Sequence, residues 1–188
     1  MSLPESSKMK MTTVRLLVLS GVVAAAGLMS ACTVRPLYSN APLSAGSQVG
    51  AKAELASIAI KPVNTRYAQQ VRNNLIFAFT GGAGQPAVPV YSLDLGVTEL
   101  FQSAALIQTT TNEDTPTAGT VTLTAAYTLT DAKTGAKLAT GKRSISSSFD
   151  QPLQEFAGYR AQRDAEDRAA RELADLLHLA IAQDLAKR

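Results

Sequence analysis

The spacing of apolar residues divides the chain into an uncharged run, a spacer, and an ordered series of strand and helix patterns. Leu16 to Met29 is 14 residues without a charge. As a helix it would span about 21 Å, well short of the ~30 Å of a bilayer core. That length suits the apolar segment of a secretory signal, and Lys8, Lys10 and Arg15 supply its positive lead. Ser39 to Gly50 is rich in Ser, Ala, Gly and Pro and has neither a helical nor a strand period, which predicts a tether.

Beyond the spacer the periodicity becomes regular. Leu55 to Ile60 is a short apolar strand stopped by Lys61-Pro62. Tyr67, Val71, Leu75 and Phe79 then recur every fourth residue with Ala78 beside them, a helix capped by Asn64 or Thr65 and ended by Gly81-Gly82. From Val90 to Leu100 the chain alternates, with Tyr91, Leu93, Leu95 and Val97 on one face of a half-buried strand. A polar, turn-rich segment around Thr109 to Gly119 separates it from a second alternation, in which Val121, Leu123, Ala125, Tyr127 and Leu129 oppose a row of threonines.

Asp131 to Gly135 reads as a hairpin connection, returning as a strand over Ala136 to Phe149. The apolar parity of that strand changes midway, which predicts a bulge near Gly141 that re-aims Lys142 and Arg143. Asp150 is placed to cap a long last helix with Pro152 in its first turn, the regular part starting after Gly158. Its inner stripe is Ala165, Ala169, Leu173, Leu176, Leu177, Ala180 and Ile181. Asp164 with Arg168, Asp167 with Arg171, and Arg168 with Glu172 are spaced for ion pairs on the outer side.

The order β-α-β-β-β-α gives each strand one apolar face and each helix one apolar stripe. The expected fold class is α+β, a two-layer sandwich with two helices packed on one face of a mostly antiparallel four-stranded sheet. The β-α-β step calls for a right-handed crossover. The other sheet face, dressed with Thr and Ser, is left open.

Charge changes the picture once the leader is set aside. The whole chain carries 18 Lys+Arg against 15 Asp+Glu, but residues 1–31 hold three of the cations and Glu5, leaving 15 against 14. A near-neutral chain with no tryptophan argues against a general nucleic-acid binder. The remaining 157 residues are enough for one domain. The organisation expected is a signal over 1–31, a lipidated tether over 32–51, and one domain over 52–188.

Cys32, the only cysteine, stands where the uncharged run ends in small residues. Met29-Ser30-Ala31-Cys32 resembles the bacterial lipobox, in which the thiol receives diacylglycerol, the chain is cut before it and the new amino group is acylated. The alternative is an ordinary signal peptide with a buried or stray thiol nearby, which in an oxidising periplasm would be a liability. Two or three acyl chains would anchor the chain lastingly, since each buried CH₂ contributes about 0.8 kcal/mol. Thr33 follows where lipoproteins kept in the inner membrane often carry aspartate, so the resemblance points to the outer membrane.

Catalytic chemistry is sparse. Gly81, Gly82 and Gly84 follow a helix and precede no GK[ST], so they read as a cap and turn rather than a phosphate loop. His178, the sole histidine, lies among leucines, where an edge position outweighs a catalytic one. Glu113-Asp114 reads as a solvated turn, and no His, Cys, Asp or Glu cluster has metal-ligand spacing. No enzyme activity and no cofactor beyond the covalent lipid on Cys32 are expected. Arg35, Lys137, Lys142 and Arg143 stand apart from the charges of the last helix and suit either solvent or a phosphate ligand.

Several ordered segments resemble the LptE family of lipopolysaccharide-assembly lipoproteins. They are Arg35-Pro36-Leu37-Tyr38 after the cysteine, Ile58 to Pro62 leading into Arg72-Asn73-Asn74-Leu75, Tyr91 to Leu95, Ala125 to Asp131 with Thr134-Gly135, and Asp164 to Ala169 before Leu173-Ala174. Thr33-Val34 and Ser148-Phe149-Asp150 depart from the usual pattern. The resemblance implies a non-enzymatic lipoprotein on the periplasmic side of the outer membrane. It would lodge in and plug the large LptD-like β-barrel that translocates lipopolysaccharide, assisting barrel assembly and delivery to the outer leaflet. By the same resemblance, basic residues at strand and loop positions would touch lipid A phosphates; Lys142, Arg143 and Lys137 are the candidates. Two other readings stay open, an auxiliary lipoprotein of an ABC-type envelope lipid transporter and a lipid-anchored enzyme.

Overall fold

The computed structural model describes residues 50–110 and 113–187, all within one compact unit. Cys32, the signal over 1–31, Arg35 and the spacer up to Val49 lie outside the described residues. The elements run α1 (Ala51–Ala56), β1 (Ile58–Ile60), α2 (Arg66–Thr80), β2 (Tyr91–Thr110), β3 (Glu113–Asp131), β4 (Lys137–Asp150) and α3 (Glu155–Ala186). The sheet order is β1-β2-β3-β4, with β1 parallel to β2 and the other pairs antiparallel. One core cluster joins the inner sheet face to α2 and α3, so the two-layer α+β arrangement read from the periodicity is the observed one.

The alternating strands bury the residues their period assigns inward. Leu93 and Leu95 from β2 and Val121, Leu123, Ala125, Tyr127 and Leu129 from β3 are all buried. Val71, Leu75 and Phe79 of α2 meet them, as do Ala165, Ala169, Leu173, Leu177, Ala180 and Ile181 of α3, while Leu176 is half-buried. Burial of one such Leu is worth about 1.5–3 kcal/mol. The alanines let α3 lie close to the strands. Thr65 caps α2, its hydroxyl accepting from the Ala68 N–H at 3.4 Å, and Gly81 ends it in the left-handed conformation at φ 64°.

Several boundaries differ from expectation for physical reasons. Leu55 and Ala56 belong to α1, and β1 is only Ile58–Ile60. The helix is held by tertiary contacts invisible to local pattern: Ala51, Glu54 and Leu55 are buried and the Tyr91 hydroxyl donates to Glu54 Oε1 at 3.1 Å. The expected turn-rich segment is largely strand, with Thr110 paired to Glu113 and Gln108 to Asp114, so Glu113-Asp114 is not a loop. Its β-branched threonines favour extended backbone, and an antiparallel partner lies adjacent in sequence. Asp150 ends β4 rather than capping the last helix, which starts at Glu155 behind Gln154 and runs through Gly158.

The bulge lies at Leu138, not near Gly141. Leu129 pairs with Ala139 and Thr130 with Lys137, leaving Leu138 as the extra residue, and both Leu138 and Ala139 pack on the core. Gly141 has another purpose. It faces Tyr127 across the strands, and a Cβ there would lie 2.6 Å from the tyrosine ring. The ring can therefore fold over β4 and send its hydroxyl to Asp184 Oδ2 of α3 at 2.6 Å. Burial first, and then the Asp184 hydrogen bond, push the phenol up, so it stays a donor. Gly119 opposite Phe149 repeats the arrangement, a Cβ there falling 2.6 Å from the ring.

Candidate functional site

The open face of the sheet is a hydroxyl ladder. Thr120, Thr122 and Thr124 of β3 stand beside Ser148, Ser146 and Ser144 of β4, with oxygen separations of 3.3, 2.7 and 2.9 Å. Cross-strand pairing places each couple directly opposite, since even-numbered residues of both strands share this face. The ladder ends toward Ala126 and Lys142, with Thr130 and Lys137 further along. On β2 the same face carries Asp94, which binds Lys61 Nζ at 2.9 Å in a solvent-exposed pair worth at most about 1 kcal/mol.

Lys142 and Arg143 do not form one patch. Adjacent residues of a regular strand point to opposite sides. Lys142 pairs with Ala126 on the open face, whereas Arg143 pairs with Ala125 on the helix side and donates to the Lys142 carbonyl at 2.8 Å. Lys137 shares the open face with Lys142. All three are exposed.

A second concentration of charge, which the sequence reading did not single out, surrounds the start of α3. Leu153, Phe156 and Tyr159 are 87%, 75% and 51% exposed. Arg163 donates through Nε to the Tyr159 hydroxyl at 2.9 Å, with its guanidinium carbon 4.9 Å from the ring centre. Arg66, arriving from α2, grips Glu166 at 3.0 Å and both oxygens of Asp167 at 2.9 and 3.0 Å. An open depression of about 440 Å³ is lined by Arg66, Tyr159, Arg160, Arg163, Asp164 and Asp167. It adjoins another of about 430 Å³ bordered by Phe149, Pro152, Leu153 and Tyr159. The local signal was Leu153 and Phe156, apolar residues that precede the inner stripe.

The expected ion pairs are partly redirected. Asp164 bonds Arg168, as its spacing predicts, and Arg168 also reaches the Ser148 carbonyl at 2.9 Å. Asp167 turns to Arg66 on a different helix. Such cross-element contacts leave no trace in helical spacing.

His178 stacks edge-on against Phe79 with ring centres 5.5 Å apart and lines a small apolar recess of about 180 Å³ with Lys52 and Leu55. Burial pushes its pKa below the ordinary 6.5, with Asp175 opposing. It belongs to the helix packing. Among the described residues no three His, Cys, Asp or Glu side chains gather as a metal site, and no helix is long and apolar enough to cross a membrane.

The segments carrying the family resemblance have folding duties. Arg72 donates to the Ile60 carbonyl at 3.3 and 3.1 Å and to that of Lys61 at 3.0 Å, closing the end of β1. Asp131 Oδ1 accepts from the N–H groups of Lys133 and Thr134 at 2.9 and 2.8 Å, shaping a turn finished by Gly135 at φ 70°.

Residues 55–181 match the profile of the lipopolysaccharide-assembly family, LptE. No curated protein matches the chain by sequence. Among solved structures, a lipoprotein of Caulobacter crescentus CB15 shares 27% identity at a TM-score of 0.60, over 73% of this chain and 97% of that one. A minor lipoprotein from Acinetobacter baumannii is 16% identical, TM-score 0.48, over 66% and 87% of the two chains. Rare lipoprotein B from Shewanella oneidensis is 12% identical, TM-score 0.49, over 66% and 91%. With the profile running from the end of α1 through β1, α2 and the other strands into α3, the chain belongs to the LptE family of lipopolysaccharide-assembly lipoproteins.

Proposed function

We propose that the chain is anchored on the periplasmic side of the outer membrane by acyl chains on Cys32. Its domain fills the lumen of an LptD-like β-barrel, assisting barrel assembly and the passage of lipopolysaccharide to the outer leaflet. The observation that carries this reading is the family match over 55–181 on a domain with one closed apolar core and one uncovered face of paired hydroxyls. Large barrel interiors are polar, so a Thr/Ser face loses little by entering one. The domain acts by binding, with no catalytic step.

Lipopolysaccharide is an anionic amphiphile. Lys137 and Lys142 on the hydroxyl face and Arg143 on the helix side are the proposed phosphate contacts. The end of the domain where Arg160 and Arg163 stand beside exposed Leu153, Phe156 and Tyr159 offers both cationic and apolar chemistry, and is a second place for such a ligand.

Affinity purification of the full chain from detergent extracts tests the reading. Recovery of a large outer-membrane barrel together with lipopolysaccharide is expected; recovery of an ABC transporter instead would overturn it in favour of the auxiliary-lipoprotein alternative. Lys142→Ala and Arg143→Ala should each reduce retained lipopolysaccharide without loss of the barrel. Undiminished retention in the double variant would remove these residues from the ligand path. Cys32→Ser should leave unprocessed or mislocalised precursor, and normal outer-membrane fractionation would refute the anchor.

A further inference from the structure

At the charged end of the domain, by the start of α3, a carboxyl group lies under the helix with no ordinary donor for one of its oxygens. Glu99 pairs with Leu123 across β2 and β3, which turns its side chain to the helix-covered face. Its Oε1 is sealed from solvent and takes no hydrogen bond from any described donor. Its neighbour from α3 is Glu166, only 4% exposed and near enough for its charge to act on Glu99. Glu166 is already engaged: Oε2 accepts from Arg66 at 3.0 Å and Arg163 at 3.3 Å, and Oε1 from Gln162 at 3.3 Å. Two ionised carboxylates in contact repel each other, and neither can donate.

We infer that Glu99 and Glu166 share one proton, and that the resulting carboxyl–carboxylate hydrogen bond clasps β2 to α3 beside the arginine-lined depression. The shared proton gives the buried Glu99 oxygen a role and turns a repulsive contact into a charge-assisted bond. The charges facing the pair are Arg66 from α2 and Arg163 from α3, with Asp167 of α3 held by Arg66, while β3 presents Leu123. Burial and then Glu166 raise the Glu99 pKa above its ordinary 4.5, and the two arginines oppose them more weakly.

The direction of the pH dependence follows. The folded domain holds a proton that the unfolded chain releases more readily. The stability contributed by the Glu99 proton is therefore fully present below the ordinary 4.5 and lost as pH rises through the raised midpoint. It fixes the stretch of α3 on which Tyr159 and Arg163 are mounted, so its opening would shift that end of the helix.

The test is a carboxyl-carbon NMR titration of the full chain in detergent solution. With only seven glutamates in the sequence, the signal lost in Glu99→Gln identifies Glu99. Its midpoint should lie above the ordinary 4.5 and fall toward it in Glu166→Gln. An ordinary midpoint in the natural chain would overturn the inference, and so would a raised midpoint unmoved by Glu166→Gln, since burial alone would then account for it. Should Glu166→Gln not fold, Glu99→Gln decides. Its side-chain amide can donate to Glu166 at every pH, so its stability should not share the natural chain's decline with rising pH; identical slopes would overturn the shared proton.

Discussion

Replacing Gly141 with alanine probes one of the closest approaches among the described residues. The new Cβ would sit 2.6 Å from Tyr127 Cζ and Oη and 2.7 Å from another ring carbon, far inside van der Waals contact. The backbone at Gly141 is in a regular ladder with Tyr127, so the ring must give way. Moving it breaks the 2.6 Å bond from the hydroxyl to Asp184 and disturbs a residue only 3% exposed. A hydrogen bond to a charged group contributes about 1.5–3 kcal/mol, and overpacking costs about 1–3 kcal/mol. The sum points to a loss of about 2.5–6 kcal/mol, a large part of the about 5–15 kcal/mol typical of a domain. Urea unfolding followed by far-ultraviolet circular dichroism gives the value, the absence of tryptophan making fluorescence a poor reporter. Tyr127→Phe should lose only the hydrogen-bond share. In a Tyr127→Leu background, Gly141→Ala should be neutral or stabilising, because alanine is better than glycine in a strand by roughly 0.5–1 kcal/mol. If Gly141→Ala in the natural sequence changes stability by less than about 0.5 kcal/mol, within ordinary surface effects, the close-approach argument fails.

Two further outcomes follow from contacts elsewhere. Arg72→Met keeps the stem but strips the carbonyls of Ile60 and Lys61 of a shared donor; a loss of about 1–3 kcal/mol and faster exchange of the Lys61 amide are expected, and protection equal to the natural chain would refute the role. His178 is held below its ordinary 6.5 by burial, so the unfolded chain binds its proton more readily. Stability should fall as pH drops through 6.5, and His178→Leu should flatten that slope; an unaltered slope assigns it to other groups.

The layers of the fold were legible because their signals are local. A period of two from Tyr91 to Val97 and from Val121 to Leu129, a period near four through Val71, Leu75 and Phe79, and glycine after Thr80 each state a face or an end in residues close together. What was missed depends on partners distant in sequence. The bulge at Leu138 is set by the need to bury both Leu138 and Ala139, and Gly141 is explained only once Tyr127 is known to lie across it. The α1 helix is too short to announce itself and is fixed by Tyr91, 37 residues on from Glu54. The charged end was equally hidden, because Arg66 and Glu166 are 100 positions apart. Lys142 and Arg143 are neighbours in the sequence, but adjacency in a strand puts their side chains on opposite faces.

The paired hydroxyls of the open face have one more property. In each of the Thr120–Ser148, Thr122–Ser146 and Thr124–Ser144 couples either oxygen can be the donor. Rotating the two O–H bonds of the Thr120–Ser148 or Thr122–Ser146 couple reverses its polarity without moving a carbon atom, whereas Ser144 of the third also donates to the Leu123 carbonyl at 3.2 Å. The ladder can therefore offer a lone pair or a proton at the same spot, as the contacting group requires. Such a surface suits a polar group that brings either a donor or an acceptor, with no rearrangement of the strands beneath it.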